Sequence, residues 1–274
     1  MKNKKLQKEE FLEILHDVFR IIKKEEKIKI IEETSSNLVV IGDLHGDIAS
    51  LEKILKNINF ESDKLLFLGD YGDRRWNDIE VYFKIFKLKL EHPSQIILLR
   101  GNHEGPSHLL PYPHDLPIHF LKEFGDNEAY LKLRKIWDVM PIASIVPGKY
   151  LFLHGGITSK LKELSDITKD EFLEAILWSD PYPGNEEIES PRGAGILFPE
   201  KTTKDVLERF KLKILIRSHQ CCDPFRIDHD GKVLTIFSTK GEPYPNTHAS
   251  FLRIPLKETF KNSNELVKKC LHVF

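Results

Sequence analysis

Short apolar runs that end in glycine and a polar residue alternate along this chain with stretches of helical periodicity. The run at 38–41 leads into Gly42-Asp43-Leu44-His45-Gly46-Asp47. The same arrangement recurs at 65–68 before Gly69-Asp70, at 96–100 before Gly101-Asn102-His103-Glu104, at 150–153 before His154-Gly155-Gly156, and at 214–217 before Ser218-His219. Apolar runs of this length, bounded by turn residues, predict buried strands.

Apolar residues at helical spacing predict helices around these strands. The predicted helices are a lead-in within residues 1–30, a helix from residue 48 to about Asn57, and helices at about 78–91, 127–139 and 169–178. The β-α-β-α-β order through residue 100 is typical of a parallel sheet. The later part of the chain favours strands at 213–217, 224–228, 232–237 and 248–254, with Asp230-Gly231 as a hairpin turn.

Three segments lack a clear strand or helix pattern. Residues 105–120 are rich in proline and predict a long loop of the kind that sets specificity. This loop contains His108, His114 and His119. None of them follows a predicted strand that ends in glycine, so we do not expect them to bind metal. The segment 181–195 predicts a second loop. Residues 256–274 predict a C-terminal segment that packs on the body, with a partner site as the alternative. No linker is evident, so we expect residues 1–274 to form one domain.

Composition narrows the class of protein. With 274 residues, 41% of them hydrophobic, the chain can bury a large core, and its formal net charge of −1 gives no bulk attraction to nucleic acid or membranes. No apolar segment has the length to cross a bilayer, and the lysine-rich start is not followed by a signal-peptide core. Three cysteines do not make a disulfide framework, which favours a reducing cytoplasm. The 30% charged content favours a thermophilic source.

The recurring strand ends carry candidate chemistry. Asp43 and His45 lie two residues apart at the C-terminal end of a predicted strand, where open α/β sheets bind ligands. A carboxylate oxygen and an imidazole nitrogen together suit a divalent transition metal. A single such motif is more often a turn with a capping aspartate. Here, however, five predicted apolar strands are each followed by Asp, Asn or His. This repetition argues for a metal site.

Six ordered motifs carry a family resemblance: GDLHG, GDYGDR, RGNHE, LFLHGG, LWSDP and IRSHQ. Together, across residues 37–245, they resemble the phosphoprotein phosphatase family of serine/threonine phosphatases. The stretch RGNHEGP…PHDLP is more similar to archaeal members. The resemblance implies an α/β (mixed α+β) metallophosphoesterase fold, a β-sandwich of two mixed sheets flanked by helices with a two-metal site at the strand C-terminal ends. It also implies hydrolysis of phosphoserine and phosphothreonine in proteins by metal-bound water.

The resemblance implies a ligand set for two divalent ions. The first ion is expected on Asp43, His45 and Asp70, and Asp70 is expected to bridge the two ions. The second ion is expected on Asp70, Asn102, His154 and His219. Manganese is the expected metal, with iron, zinc, cobalt or nickel as alternatives. Two such ions held about 3.5–4 Å apart can clamp phosphate oxygens and generate hydroxide near neutral pH.

The remaining motif residues match substrate-handling positions of the family. His103 is the expected general acid, held by Asp73. The residues expected to contact the phosphate or the substrate are Arg74, Arg192, Asn102 and Tyr244. Arginine suits this role because its planar guanidinium donates two parallel hydrogen bonds to phosphate oxygens. Glu104, Trp178 and Asp180 are expected to be structural supports.

Three features depart from the family pattern or bear on its mechanism. Gly72 and Arg75 stand where the family usually has valine and glycine, so a left-handed backbone at Arg75 would strain the loop beside Arg74. The segment 240–243 departs from the usual spacing before Tyr244. No cysteine lies in a candidate phosphate-cradling loop, so activity is expected to depend wholly on metal.

Other functions remain open from the sequence. A dinucleoside-tetraphosphate hydrolase uses a similar core, and the 105–120 loop does not exclude it. Two-metal nucleases share the Asp-x-His motif but differ at Glu104 and at the single His219. A binding module that has lost its chemistry is the alternative of another class. The expected partners are phosphoprotein or phosphopeptide substrates, with neither nucleic acid nor membrane, and the oligomeric state is open.

Overall fold

The computed structural model of this chain describes residues 6–274, so the start of the predicted lead-in lies outside the described residues. Its helices are α1 (Lys8–Ile22), α2 (Ile48–Leu55), α3 (Asp78–Glu91), α4 (Leu116–Phe124), α5 (Glu128–Val139), α6 (Asp170–Trp178), α7 (Glu200–Arg209) and α8 (Ser263–Cys270). Its strands are β1 (Ile28–Ile30), β2 (Asn37–Ile41), β3 (Asp63–Phe67), β4 (Ile96–Leu98), β5 (Ala143–Val146), β6 (Tyr150–Leu153), β7 (Asp180–Pro181), β8 (Ile188–Glu189), β9 (Ile196–Phe198), β10 (Ile214–Arg217), β11 (Phe225–Asp228), β12 (Val233–Ile236), β13 (Ser250–Pro255) and β14 (Leu271–Val273).

Two mixed sheets form the centre of the structure. One has the order β1-β5-β6-β10-β12-β11 and the other the order β14-β13-β2-β3-β4, with a small third sheet, β7-β9-β8, beside them. Strands β2, β3 and β4 are mutually parallel, as the β-α-β-α-β pattern predicts. Strand β10 is parallel to both β6 and β12. The C-terminal ends of these parallel strands therefore collect at one edge of each sheet.

Alternation along the strands builds the layers. In β2, Val39 and Ile41 pack with the cluster that helices α1 to α5 cover, whereas Leu38 and Val40 pack between the two large sheets. On the other sheet, Phe152 faces the inter-sheet core and Leu151 faces a cluster with α6 and α7. Burying one such aliphatic side chain contributes about 1.5–3 kcal/mol to folding. The layers are thus helix, sheet, sheet and helix, which confirms the predicted sandwich.

Most predicted elements are present with small shifts of their ends. Helix α3 spans the predicted 78–91, and β6 spans the predicted 150–153. The Asp230-Gly231 turn joins the antiparallel strands β11 and β12, as predicted. The prediction for the C-terminal segment is also confirmed: α8 buries Leu266 and Cys270 in the inter-sheet core.

The loop prediction for 105–120 is wrong in part, because α4 begins at Leu116. Pro117 lies in the first turn of this helix, where a missing backbone N–H costs nothing. Helix α7 is absent from the sequence prediction, since threonines 202 and 203 occupy buried positions where apolar residues would have marked its inner face. No helix among residues 6–274 combines the length and apolar character that crossing a membrane requires.

Candidate metal centre and active site

The strand ends converge on one cavity of about 400 Å³. Its wall is formed by His45, Asp70, Arg74, Asn102, His103, Pro111, Tyr112, Trp178, Arg192, His219, Cys221, Phe237 and Tyr244. Asp43 and His154 are completely buried behind this wall, where Asp43 lies next to His45 and His154 lies next to Asp70. The structure thus brings the sequence-predicted metal, acid and phosphate residues to one place. A larger cavity of about 770 Å³ lies beyond Trp76, and its described lining residues include none of the predicted ligands.

Four candidate residues adopt a left-handed backbone although none is glycine. The φ angles are 46° at His45, 54° at Asp70, 78° at Asp73 and 70° at His219. Such residues cost on the order of 1–3 kcal/mol each and persist only where the surroundings determine them fully. At His45, Asp70 and His219 the turn redirects the chain shortly after a strand end, so that the side chain faces the cavity rather than continuing the sheet. Asp73 lies further along the same loop as Asp70, and it is fully buried.

The carboxylate of Asp70 lies between two histidines. Its Oδ2 is 3.5 Å from His45 Nε2, and its Oδ1 is 3.4 Å from His154 Nε2. The Nδ1 atoms of both rings donate to backbone carbonyl oxygens, at Gly72 (3.0 Å) and Leu68 (2.9 Å). A carbonyl can only accept, so the neutral rings carry their hydrogen on Nδ1 and turn an Nε2 lone pair toward Asp70. Lone pairs facing carboxylate oxygens on both sides of Asp70 fit two cations.

Further acceptor atoms without hydrogen-bond partners lie around the Asp70 carboxylate. Asp43 Oδ2 and His219 Nε2 are buried without a hydrogen-bond partner, and Asp43 Oδ2 lies 3.4 Å from His45 Nε2. Asn102 Oδ1 is 2.9 Å from His154 Nε2 and 3.2 Å from His219 Nδ1. Turned the other way, the Asn102 amide would donate to these nitrogens and to Asp70. Buried polar atoms are otherwise almost always paired, so this donor set fits divalent metals.

Two groups of three side chains bring ligand atoms within 4.8 Å of one another, namely His45, Asp70 and His103, and Asp70, His154 and His219. Both groups share Asp70, as a bridging carboxylate would. The first group contains His103, the residue predicted to transfer a proton, and it lacks Asp43, which is predicted to bind metal.

Burial and neighbouring charges shift the pKa values of the clustered side chains in different directions. Burial opposes a charge on His154, but the adjacent carboxylates outweigh it and raise the pKa of His154 to about 9. Burial likewise opposes ionisation of Asp70, yet the charges of His154, His103 and His45 hold the pKa of Asp70 well below its usual range. Burial and the charge of His154 push the pKa of His219 well below its ordinary value. The cluster therefore favours an ionised carboxylate with positive charge next to it, which either a proton on His154 or a bound cation would supply.

Asp73 is the centre of a second network. Its Oδ2 lies 2.7 Å from His103 Nδ1 and 2.7 Å from His114 Nδ1. Its Oδ1 accepts the backbone N–H groups of Asp115 (2.5 Å) and Leu116 (3.2 Å). Burial opposes ionisation, but the two histidine hydrogen bonds outweigh it and lower the pKa of Asp73 strongly. This arrangement orients His103, and it gives His114 a contact that the sequence did not indicate.

The two predicted phosphate arginines lie on the cavity wall. Arg74 donates through Nη1 to the carbonyl oxygens of Asp73 (2.6 Å) and Pro113 (3.2 Å), and its side chain is 22% exposed. Arg192 donates through Nε to Asp180 Oδ2 at 2.7 Å and is 38% exposed. The Oδ1 of Asp180 accepts from the fully buried Arg217 at 2.8 Å. Asp180 therefore links a structural arginine to a cavity arginine.

Glu104 supports the loop that carries Asp70. Its carboxylate accepts the N–H groups of Asp70 (2.8 Å), Tyr71 (3.1 Å) and Gly101 (3.2 Å) and the hydroxyl of Tyr82 (2.6 Å). Burial and the charge of Asp70 raise the pKa of Glu104 to about 7 against these hydrogen bonds. A side chain at Gly101 would collide with Asp70, so glycine is required there.

Tyr244 and Cys221 complete the wall. The Tyr244 ring packs against His45 and Phe237, with centroids 5.2 and 4.9 Å apart. Cys221 lies on the wall although it follows no phosphate loop, and burial raises the pKa of its thiol. The left-handed turn at His219 brings this cysteine to the cavity, which no pattern in the sequence indicated.

The departures at Gly72 and Arg75 leave Arg74 on the cavity wall. Arg75 is not among the residues with positive φ, so the expected strain at this position is absent. A side chain at Gly72 would meet Tyr82 at 3.0 Å and Asp78 at 3.2 Å. Valine at position 72 would therefore be crowded, and glycine fits.

The other loop histidines lie outside the candidate ligand groups. His119 Nδ1 lies 2.5 Å from Asp78 Oδ2, and the His119 ring packs at a tilt of 40° against Trp76, with centroids 4.2 Å apart. His108 belongs to a short 3-10 helix, Ser107–Leu109. Neither residue lies in the two groups of candidate ligands.

Comparison with known proteins identifies the family. A family model described as calcineurin-like phosphoesterase matches residues 36–223, more than half of the chain. The chain belongs to the calcineurin-like phosphoesterase family. A probable serine/threonine-protein phosphatase of Encephalitozoon cuniculi is 33% identical over 217 residues, which are 75% of this chain and 47% of that relative. A protein phosphatase 2A catalytic subunit of Dictyostelium discoideum is 31% identical over 220 residues, which are 76% of this chain and 70% of that relative.

A solved structure supports the same fold. The protein serine/threonine phosphatase from Saccharomyces cerevisiae with similarity to human phosphatase PP5 has a TM-score of 0.86 and 23% identity, covering 100% of this chain and 90% of that chain. The predicted membership of the phosphoprotein phosphatases within the calcineurin-like phosphoesterases is confirmed. The chain spans about half the length of the Encephalitozoon relative (47%). The family implies a dinuclear divalent metal site, for which this chain has candidate ligands. The predicted archaeal type stays a prediction.

Proposed function

We propose that this protein is a metal-dependent serine/threonine phosphatase that hydrolyses phosphoserine and phosphothreonine in proteins. The relatives named as serine/threonine-protein phosphatases support this substrate class. The observation that carries the proposal is the position of Asp70, whose two oxygens face the Nε2 atoms of His45 and His154 at 3.5 and 3.4 Å. The two oxygens of Asp70 and the Nε2 lone pairs of His45 and His154 would thus offer ligand atoms to two cations.

The proposed ligand set divides between two ions. Asp43, His45 and Asp70 would hold one ion, and Asp70, Asn102, His154 and His219 the other. Bound divalent ions supply Lewis-acid stabilisation of phosphate charge and a water of lowered pKa. We propose manganese as the native metal.

The assignment of Asp43 to metal, rather than His103, rests on their hydrogen bonds. Asp43 Oδ2 is buried without a partner, so nothing among the described residues satisfies it. His103 Nδ1 is engaged by Asp73, and its Nε2 is 3.8 Å from Asp70 Oδ2, farther than the 3.5 Å that separates this oxygen from His45 Nε2. His103 is thus oriented by a carboxylate and faces the cavity, as a general acid must.

The proposed substrate contacts follow from the cavity wall. Arg74 and Arg192 present guanidinium groups from opposite loops and would bind the phosphate oxygens, with Asn102 beside them. Tyr244 would contact the substrate from the side of His45. His103 would donate a proton to the departing serine or threonine oxygen. Tyr112 lies on the cavity wall and its side chain is exposed, so it would be available to contact a protein segment.

A metal and substrate analysis tests the proposal. We expect two divalent ions per chain, turnover of phosphoserine and phosphothreonine peptides, and little turnover of a phosphotyrosine peptide or diadenosine tetraphosphate. Preferred cleavage of diadenosine tetraphosphate would favour the dinucleoside-polyphosphate alternative. Phosphopeptide binding without turnover by the metal-loaded protein would favour an inactive binding module.

Two variants test the ligand assignment. Asp43→Asn is expected to lower bound metal below two ions, whereas His103→Asn is expected to retain both. The reverse result would exchange the roles of the two residues. The single-domain organisation of residues 1–274 also stays a prediction, which one cooperative unfolding transition would support.

A further inference from the structure

Two segments at which this chain departs from its family pattern contact each other. One is Arg75, which follows Arg74, and the other is the segment 239–244, which contains the altered residues 240–243 and carries Tyr244. The side chain of Arg75 does not line the cavity. It extends instead to five oxygen atoms, belonging to Thr239, Lys240, Gly241, Glu242 and Asp47.

The geometry of these contacts is specific to arginine. Nη2 donates to the carbonyl oxygens of Lys240 and Gly241, both at 2.9 Å, and Nε donates to that of Glu242 at 2.8 Å. Three consecutive carbonyl groups on one side chain require several donors that diverge within one plane, which arginine has and lysine lacks. The side chain of Arg75 is only 19% exposed, so these donors are held largely away from water.

The remaining contacts extend the network to the loop of the first metal motif. Arg75 Nη1 lies 3.1 Å from Asp47 Oδ2 and also donates to the hydroxyl of Thr239. That hydroxyl donates to Asp47 Oδ2 at 3.0 Å, and Asp47 caps α2 by accepting the N–H of Ser50 at 3.0 Å. Arg75 thereby joins the 239–244 segment to the loop that contains Asp43 and His45.

Tyr244 depends on the same segment. Its backbone N–H donates at 3.0 Å to the Gly241 carbonyl oxygen, the same oxygen that accepts from Arg75 Nη2. The Tyr244 ring in turn packs on His45, with centroids 5.2 Å apart. Displacing the segment would therefore move the tyrosine that forms one side of the cavity.

We propose that Arg75 is a positioning residue that clamps the 239–244 segment and so fixes Tyr244 against His45 on the cavity wall. Its catalytic consequence rests on the proposed phosphatase function, but the clamp itself is a property of the loop. The two departures from the family pattern are then linked. Arg75, which stands where the family usually has glycine, holds the altered segment 240–243 in place.

Hydrogen exchange tests the clamp without any need for activity. In the full chain, Arg75→Ala is expected to speed exchange of the Gly241 and Tyr244 amides, which are bonded at 3.0 Å to the carbonyl oxygens of Asn246 and Gly241. Arg75→Lys keeps the positive charge near Asp47 but loses the diverging donors of the guanidinium. Exchange of the same two amides in this variant should therefore be intermediate. Arg226→Ala removes an arginine that pairs with Asp228 on β11 and serves as the matched control. Unchanged exchange at 239–248 in both Arg75 variants would overturn the proposal.

Kinetics then test the route through Tyr244. Arg75→Ala and Tyr244→Ala are each expected to lower kcat/KM on a phosphoserine peptide about tenfold, because small displacements at an active site cost this much or more. Bound metal should not change. If Arg75 acts through Tyr244, the double variant should lose little beyond Tyr244→Ala alone.

Other kinetic outcomes have distinct meanings. Losses that multiply in the double variant would show that Arg75 acts through Arg74 or through folding, and would overturn the proposed route. Where Arg75→Ala does not fold, the same cycle is made with Arg75→Lys. A parent protein with no phosphatase activity would refute the proposed function, while the exchange comparison would still decide whether the clamp exists.

Discussion

His103 Nδ1 lies 2.7 Å from Asp73 Oδ2, and this contact determines which edge of the imidazole faces the cavity. A carboxylate accepts, so Nδ1 carries a hydrogen and Nε2 faces the reaction space. Burial lowers the pKa of His103, while Asp70 and Asp73 oppose that effect. Asp73 therefore orients Nε2 toward the cavity, where the protonated form of His103 would donate its proton, and this arrangement leads to the first prediction.

Replacing His103 with asparagine should affect substrates according to their leaving groups. A serine alkoxide needs a proton as it departs, whereas a nitrophenolate is stable without one. Because general acid catalysis contributes about 10²–10⁴-fold, we expect a loss of that size on a phosphoserine peptide and a clearly smaller loss on nitrophenyl phosphate. Steady-state kinetics on both substrates, with metal analysis of the variant, make the measurement.

His154→Ala is the matched comparison for the His103 variant. It should lower turnover of both substrates alike and reduce bound metal, since it removes a proposed ligand rather than the acid. Equal losses on both substrates in His103→Asn, at unchanged metal content, would mean that His103 only holds Asp73 and its loop in place.

Metal removal should abolish activity. The unpaired acceptors at Asp43 and His219 leave the site incomplete without cations. We expect a chelator to remove all turnover of phosphopeptides and added manganese to restore it, with two ions per chain at full activity. Full activity of a verified metal-free preparation would contradict the two-metal proposal.

Arg74→Ala should lower catalysis on phosphopeptides by about 10²-fold or more, the loss found when one preorganised charge-stabilising donor is removed. The reason is that Arg74 lines the cavity while Arg75 is committed to the 239–244 segment. Arg226→Ala is again the control and should retain parental activity. A loss of under about threefold would mean that Arg74 does not bind the phosphate.

Arg192 and Asp180 should separate activity from stability. Arg192→Ala removes a cavity arginine that is 38% exposed, so we expect lower kcat/KM with little change in the free energy of unfolding. Asp180→Ala should lower both, because it also leaves the buried Arg217 without its carboxylate partner, at a cost of about 3–5 kcal/mol. Denaturant unfolding and phosphopeptide kinetics of the two variants provide the test. Equal stability of the two variants would contradict the structural role of Asp180.

Cys221→Ser should leave activity within about threefold of the parent, since only a thiolate is a strong nucleophile. Burial raises the pKa of the Cys221 thiol, so it remains protonated at neutral pH even though it lies on the cavity wall. Phosphopeptide kinetics on the metal-loaded variant make the comparison. A loss of several orders of magnitude would point to a covalent route through sulfur.

The residues of the candidate centre are local features of the sequence. Each follows an apolar run, and the C-terminal ends of parallel strands meet at one sheet edge, so Asp43, His45, Asp70 and Asn102 converge without further information. Periodicity also predicted most helices and strands, because each element buries one face in a continuous core. It did not predict α4 or α7, where a proline in the first turn and two buried threonines concealed the helical pattern.

By itself, then, the chain's order of apolar runs and strand-end residues determined the layered fold, the family and the candidate ligands. The tertiary structure decided which residues hold those side chains in position. His114 contacts Asp73 across 41 positions of sequence, and Arg75 contacts Thr239 across 164. Neither pair shares an element or a period, because both depend on loops that are shaped by packing against the sheets. Short-range patterns record which face of an element is buried, and contacts between distant loops arise only once the sheets have brought those loops together.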